Sequence, residues 1–207
     1  MMRQQFTRVE ADEDARFRQE VLAERGAYLV DGKLHCEFKM LDARSAQMRW
    51  EEGVDPLQAI EAFRFYSFNI TRFVDQEGRI VAAFPEVPLF WLGLDQIQPS
   101  QFYVSDAKLA RVETFIHSEA EIIIPVMRHG KRWAAMDGHT RLYLAVTRGY
   151  ARVRAYEEES DEEIAYFIKE AEKRGIREPK DMALVPAVVF HEKWDGFCDA
   201  YFASRQR

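Results

Sequence analysis

The sequence feature that most constrains the fold is a change of hydrophobic period at residues 137–138, an Asp-Gly pair. Residues 122–127 and 132–136 before this pair are apolar runs with the length and composition of buried strands. Three apolar positions after it recur at helical spacing: Leu142, Ala145 and Val146. The sequence therefore predicts a strand pair that leads through a tight turn into a helix.

The turn itself has the composition of an anion-binding site. The first N–H groups of a helix lack partners within the helix and carry the positive end of its dipole. Gly138 lets the backbone approach a ligand closely, and Arg141 offers a planar fork of donors that suits phosphate oxygens. Asp137 stands where it can cap the helix N-terminus. The same residues also suit a well-capped helix with a surface arginine, so the turn alone leaves both interpretations open.

The length of 207 residues suits one large domain, or one domain with a substantial extension. Apolar residues make up 47% of the chain and charged residues 31%, which excludes a disordered chain. Prolines interrupt regular structure near residues 83–90. We therefore expect an N-terminal α+β region of unknown type at residues 1–88, a central domain at residues 89–158, and a C-terminal helical extension at residues 159–207 packed on it.

Local patterns predict the elements of the N-terminal region. Residues 28–30 and 34–38 alternate as strands around Asp31-Gly32, which favours a hairpin. Helical spacing predicts three helices, the last with Asp55 as its N-cap, at residues 9–26, 41–52 and 56–63. Near the C-terminus an aromatic stripe at helical spacing predicts core packing by residues Trp194, Phe197, Cys198, Tyr201 and Phe202.

Charge and cysteine usage restrict the function classes. The formal net charge of -6 disfavours nonspecific attraction to a nucleic-acid backbone. The net charge does not exclude a local basic face, whose candidate members are Arg141, Arg148, Arg152 and Arg154. Arginines that alternate on a strand usually just face solvent. Cys36 and Cys198 show no metal or redox spacing, and no window approaches 18 uninterrupted apolar residues. We expect a cytoplasmic protein with no signal peptide and no membrane span.

Three short motifs along residues 94–156 occur in the order and spacing of a known family. They are Ile97-Gln98-Pro99-Ser100-Gln101, then Ile124-Pro125-Val126, then Asp137-Gly138-His139-Thr140-Arg141 with Ala145 and Gly149. In these motifs the chain resembles the ParB/sulfiredoxin-like domains, of the Asp-Gly-His-Thr-Arg variant. The resemblance covers about a third of the chain and implies an α/β (α+β) fold. In that fold a small mixed sheet is flanked by helices, and here it carries an N-terminal α+β extension.

The resemblance implies that the turn binds a nucleotide. Chromosome-partitioning members bind a nucleoside triphosphate there and clamp DNA, sulfiredoxins use ATP to repair an oxidised cysteine, and free-serine-kinase members phosphorylate a small hydroxyl compound. By this likeness Asp137 would act through a bound magnesium ion or as the helix cap. The phosphates of ATP or ADP, with CTP as an alternative, would lie on Ser100, Gly138, His139, Thr140 and Arg141.

The chain departs from each of these functional patterns. Sulfiredoxins carry their nucleophilic cysteine in the turn, where this chain has His139. Kinase-like members carry a catalytic glutamate at the position of Gln101, and an amide cannot accept a proton as a carboxylate does, a role worth ~10²–10⁴ in rate. Asp95 or Glu121 would then have to be the base. No helix-turn-helix pattern accompanies the turn, as it does in the partitioning proteins.

The sequence therefore predicts a nucleotide-binding protein, extending to a magnesium-dependent phosphotransferase that acts on a small hydroxyl substrate. Its candidate catalytic residues are Asp137, His139 and Gln101, and Asp137 is the candidate metal ligand. Two alternatives stay open: a DNA-associated binding or nuclease-like protein, disfavoured by the net charge, and a noncatalytic interaction domain. Function depends on the site and not on the scaffold, so the resemblance alone does not choose among them.

Overall fold

Both strands and helices occur along the residues that the computed structural model describes, which are 3–10, 13–159 and 161–205. The chain divides into two units, Met1–Pro88 and Leu89–Arg207. Each unit combines β-sheet and helices around a hydrophobic core of its own, which confirms the α/β class expected from the sequence. None of the helices in the described ranges has the length and apolar character needed to cross a membrane.

The first unit is built on one six-stranded sheet, in which the strands follow one another in chain order. All neighbouring strands are antiparallel except the fourth and fifth, which are parallel and are connected through the second helix. Its strands are β1 Phe6–Arg8, β2 Ala27–Val30, β3 Leu34–Met40, β4 Ser45–Trp50, β5 Arg72–Val74 and β6 Ile80–Ala83. Its helices are α1 Gln19–Ala23 and α2 Pro56–Arg64.

Two local predictions for this unit are confirmed. The β2–β3 hairpin turns at Asp31 and Gly32, whose φ values of 52° and 69° are those of a tight turn. Helix α2 begins after Asp55, whose carboxylate accepts hydrogen bonds from the N–H groups of Leu57 and Gln58. Both features depend on only a few neighbouring residues, which is why they could be predicted from the sequence.

The other two helices predicted for this unit are corrected by the structure. The prediction of a helix at residues 41–52 is wrong, because this segment contains strand β4. The strand pairs with β3 and β5 and buries Ala46 and Met48 with a period of two. The helix predicted at residues 9–26 shortens to α1. The N–H of Val9 is bonded to a strand carbonyl, and Arg25 takes a positive φ of 59° that ends the helix.

The second unit contains a five-stranded mixed sheet in the order β7-β12-β10-β11-β8 and a parallel strand pair, β9 with β13. Strand β10 is antiparallel to β11 and parallel to β12, so the chain crosses from β11 over to β12 through α4. The strands are β7 Phe90–Gly93, β8 Ile97–Gln98, β9 Tyr103–Ser105, β10 Ile123–His129, β11 Arg132–Ala135, β12 Arg152–Glu157 and β13 Ala183–Val185. The predicted strand pair and the turn into a helix are confirmed.

The helices of this unit include the segment that the sequence set apart as a C-terminal extension. Helix α5 packs Ile168 against Met127 and Ala134 of the sheet. The aromatic stripe predicted to pack in the core is only partly confirmed, because its side chains are half-buried or exposed, with Phe202 40% exposed. Its rings do contact other rings, and Tyr201 is stacked on Tyr166 at 4.2 Å between centroids. The helices are α3 Asp106–Glu113, α4 His139–Thr147, α5 Glu162–Lys173, α6 Ala187–Phe190 and α7 Gly196–Arg205, with a π-helical turn at His191–Asp195 between the last two.

Candidate functional site

The candidate site is the turn between β11 and α4. The N–H of Met136 is still bonded to the carbonyl of Pro125, at 3.1 Å, so strand pairing continues up to the turn. Gly138 then takes φ 80° and ψ 21° and is itself the N-cap of α4. The N-cap position expected for Asp137 is therefore occupied by Gly138, and Asp137 precedes it. Gly138 has no side chain and so makes no side-chain capping hydrogen bond at this helix start.

Gly138 is required by its surroundings as well as by its dihedral angles. A Cβ atom built on this residue would lie 2.7 Å from Cγ2 of Ile124 and 2.9 Å from Nη2 of Arg141. Both distances are shorter than real Cβ contacts, and φ 80° disfavours any residue with a side chain. Gly138 is therefore closely packed against the side chains of Ile124 and Arg141 at the point where α4 begins.

Substitution of Gly138 by alanine should destabilise the second unit by roughly 1–3 kcal/mol, because it adds both a strained φ and a steric overlap. Gly149 is a matched control, since its φ is also positive at 69° but a Cβ there would meet no atom within 4 Å. Urea unfolding of Gly138→Ala and Gly149→Ala measures the two costs. Equal losses in the two variants would contradict close packing over Gly138.

Arg141 is folded back across the turn. Its Nη1 donates to the carbonyl of Ile123 at 2.6 Å, and its Nη2 lies 3.5 Å from a carboxylate oxygen of Asp137. The Arg141 side chain is 28% exposed, whereas the Asp137 side chain is 67% exposed. The guanidinium is thus positioned by the backbone of β10 while part of it faces solvent beside the start of α4.

His139 is placed differently from the sequence expectation, because it is buried. The N–H of Ser100 donates to Nε2 of His139 at 3.0 Å, and Oγ of Ser100 lies 3.2 Å from the same nitrogen and donates to the carbonyl of Ala135 at 2.9 Å. Nε2 therefore acts as an acceptor, which requires the neutral ring protonated on Nδ1. The ring ties the end of β8 to the first turn of α4.

Burial also decides the charge of His139. Desolvation lowers the pKa of the imidazole to about 4, with the negative charge of Asp137 raising it and the positive charge of Arg141 lowering it. A neutral, enclosed ring whose Nε2 already accepts a hydrogen bond is a positioning group. It contributes to the site by holding Ser100 and α4 together.

Of the other site residues that the sequence suggested, only some lie at the turn. Ser100 is 3% exposed, and Thr140 is half-buried in the first turn of α4. The amide of Gln101 donates to the carbonyl of Tyr103 in its own loop. Of the two substitute carboxylates, Asp95 lies exposed before β8, and Glu121 accepts a hydrogen bond from the N–H of His117 at 2.6 Å, which lowers its pKa.

Sequence reasoning missed Glu158 and Tyr156 at the end of β12. Glu158 is half-buried; desolvation raises the pKa of its carboxyl, a hydrogen bond with the Tyr156 side chain lowers it, and the nearby charge of Asp137 raises it further. The Tyr156 hydroxyl is buried and its pKa is raised, mainly by desolvation. The sequence signal for this pair is its position at the carboxyl end of the alternating run that forms β12, a strand that the structure pairs in parallel with β10.

The four arginines considered as a local basic face all contact one segment, residues 116–123. Arg148 donates to the carbonyl of Ile116, and Arg154 donates to the carbonyl of Ala120 at 3.1 Å. Arg152 pairs with the carboxylate of Glu119 at 3.4 Å, and Arg141 binds the carbonyl of Ile123 as described above. Three of these side chains donate to backbone carbonyls and Arg152 pairs with a carboxylate, so all four have partners within the protein.

Over the described part of the chain, no group of three or more His, Cys, Asp or Glu side chains is arranged to hold a metal ion. The two carboxyl groups near the turn, on Asp137 and Glu158, influence one another electrostatically. A pair of this kind suits a cation that takes its other ligands from a phosphate and water.

Comparisons with known proteins leave the family open. No protein-family model matches the chain, and no curated protein matches its sequence. A structural comparison finds the crystal structure of protein Atu1540 from Agrobacterium tumefaciens, with 16% sequence identity over 48% of this chain and a TM-score of 0.33. This chain spans 63% of that protein's chain. A likeness at this level carries no argument about fold or function.

Proposed function

We propose that this protein is a cytoplasmic nucleotide-binding protein that holds the phosphates of ATP or ADP, with CTP as the alternative, at the start of α4. The proposal rests on one observation: Gly138 is the N-cap of α4 in a left-handed conformation, so the cap residue itself places no side chain on the first amides of the helix. Such amides, together with the positive end of the helix dipole, favour an anion. The resemblance of residues 94–156 to ParB/sulfiredoxin-like domains supports the same proposal.

Arg141 is the side chain best placed to act with these amides. Its hydrogen bond to the Ile123 carbonyl pre-orients the guanidinium, so that less freedom is lost when a ligand binds. Hydrogen bonds between arginine and phosphate are charge-assisted and stronger than neutral ones. In this arrangement His139 and Ser100 do not contact the ligand, and their hydrogen bond positions α4.

A magnesium ion fits this proposal through Asp137 and Glu158. Magnesium in nucleotide sites commonly takes one or two carboxylates and completes its shell with phosphate oxygens and water. Asp137 is the exposed member of the pair and Glu158 the half-buried one. The ion would neutralise phosphate charge, and these two residues would hold it.

Phosphoryl transfer to a small hydroxyl compound is the extension of this proposal. The amide of Gln101 is bonded to Tyr103 and Glu121 is bonded to His117, so neither is free to act as a base. Glu158 is already assigned to the magnesium ion, so this extension relies on positioning and on charge neutralisation by the ion, which supply most of the catalysis in phosphoryl transfer. The DNA-associated alternative is disfavoured by the net charge of -6.

Thermal unfolding with ATP, ADP and CTP, each with and without magnesium, tests this proposal. A nucleotide present at a hundred times its dissociation constant stabilises the protein by about 2.7 kcal/mol. We expect Arg141→Ala to weaken binding by roughly ten- to a hundredfold, since a charged hydrogen bond contributes about 1.5–3 kcal/mol.

Arg154→Ala is the matched control, because Arg154 also donates to a carbonyl of the neighbouring segment but lies on β12. It should bind nucleotide as the parent protein does. Unchanged unfolding of the parent with every nucleotide would refute the proposal. Equal binding by the parent and Arg141→Ala would remove Arg141 from the site.

A further inference from the structure

Tyr156 is a buried tyrosine near the carboxyl end of β12 that has no role so far in the proposed nucleotide site. The residue is 2% exposed and stands opposite Pro125 of β10 in the parallel register of the two strands. Burying a hydroxyl costs free energy unless the hydroxyl is hydrogen-bonded. The partner that the Tyr156 hydroxyl has is therefore informative about what this residue does.

That partner is Glu158, two residues further along the chain. The Tyr156 hydroxyl donates a hydrogen bond to the Glu158 carboxylate. The N–H of Glu158 donates to the carbonyl of Val126 at 2.9 Å, so the pairing with β10 continues one residue past the end of β12. Glu158 is thus held twice, at its backbone by β10 and at its carboxylate by Tyr156.

The same stretch of β10 also fixes Asp137. The N–H of Met136, the preceding residue, donates to the carbonyl of Pro125 at 3.1 Å. Since β11 and β12 are the two neighbours of β10, they bring Asp137 and Glu158 to the same end of the sheet from opposite sides of one strand. Two carboxylates in this arrangement repel each other, and a glutamate side chain has the rotamer freedom to turn away. A hydrogen bond from a buried hydroxyl opposes that movement.

The Tyr156 hydroxyl is close to all three charged groups of the proposed site. Besides its hydrogen bond to Glu158, it is acted on by the charges of Arg141 and Asp137. Arg141 and Asp137 are themselves 3.5 Å apart. A hydroxyl in this position, on a ring that is packed into the protein, is a fixed point against which a carboxylate can be oriented.

We propose that Tyr156 is a positioning residue, whose hydroxyl holds the Glu158 carboxylate in place for the magnesium ion that accompanies the nucleotide. This inference rests on the proposed nucleotide function and adds to it a residue that contacts neither the nucleotide nor the ion. Groups that hydrogen-bond a metal-ligating carboxylate orient it, and their removal typically lowers metal affinity by about ten- to a hundredfold.

Calorimetric titration of the full chain with ATP, ADP and CTP in turn, first in EDTA and then in saturating magnesium, tests this inference. The ratio of the two affinities for one nucleotide is the magnesium increment. We expect Tyr156→Phe to lower this increment by roughly tenfold and to leave the affinity measured in EDTA unchanged. A purely structural role of the hydroxyl would instead weaken both affinities by the same factor.

Tyr150→Phe is the matched control, because it removes another tyrosine hydroxyl of the second unit, one that donates to the carbonyl of His117 at 3.4 Å. It should keep the magnesium increment of the parent. Glu158→Gln should lose the increment as Tyr156→Phe does. Adding Tyr156→Phe to Glu158→Gln should lower the increment no further, since Tyr156 acts through Glu158.

Three results would overturn the inference and leave nucleotide binding standing. They are a full magnesium increment in Tyr156→Phe, an equal loss of affinity in EDTA and in magnesium, and a further loss in the double variant. Absence of a magnesium increment in the parent would have the same consequence. If the parent bound no nucleotide in either condition, the proposed function and this inference would both be refuted.

Discussion

Replacing Phe38 with alanine is expected to lower the free energy of unfolding of the first unit by about 3–5 kcal/mol. Phe38 is fully buried, stacked on Phe63 at 4.4 Å between centroids. Tyr28 and Phe73 lie edge-to-face with it at 5.9 and 6.0 Å. Truncation removes contacts with three rings at once and leaves a cavity in a packed core, which is why the loss is large.

Urea unfolding measures this loss, and hydrogen exchange of the β3 amides assigns it to the first unit. Phe65→Ala is the matched control, because it removes the same ring from a side chain that is 81% exposed. We expect the control to change stability by less than ~0.5 kcal/mol. If the two variants lost the same amount, the aromatic core of this unit would be wrongly described.

Acidification is expected to destabilise the second unit by about 3 kcal/mol through His139. The folded pKa of this residue is about 4, against about 6.5 for an ordinary histidine. Between these values the unfolded chain binds a proton that the folded chain does not, so stability rises with pH in this window. The stability is fully present above pH ~6.5 and is lost as the pH falls towards ~4.

Urea unfolding between neutral pH and pH ~4.5 tests this window in the parent and in His139→Gln. The glutamine side chain does not titrate, and its carbonyl can still accept the Ser100 N–H. The pH dependence should shrink in this variant and persist in His117→Gln, where an exposed histidine is replaced. Glu158 acts in the opposite direction, since a raised carboxyl pKa favours the folded state as pH falls. A full pH dependence in His139→Gln would show that the buried imidazole is not its source.

The proposed nucleotide site depends on the same hydrogen bond between Ser100 and His139. Protonation of His139 would add a hydrogen to Nε2, where the Ser100 N–H already donates at 3.0 Å. The link between β8 and α4 would then be broken, and the start of α4 would lose its fixed position. Gly138, Arg141 and the His139–Ser100 pair therefore act as one structural group.

Much of the local structure was determined by the sequence alone. The β2–β3 hairpin, helix α2 with its Asp55 cap, and the strand pair β10–β11 all follow from signals within a few residues. Asp-Gly pairs, capping carboxylates and runs of apolar residues act through the nearest backbone, so they need no tertiary context. The turn at Gly138 belongs to this class.

Other features were decided only by tertiary structure. Strand β4 has helical spacing in sequence, but pairing with β3 and β5 outweighs that weak preference. His139 is buried because Ser100, 39 residues away, meets its ring, and Glu158 reaches Asp137 because β12 pairs in parallel with β10. Burial and charge at the site depend on which distant segments pack together, and that information is not present in any local stretch of chain.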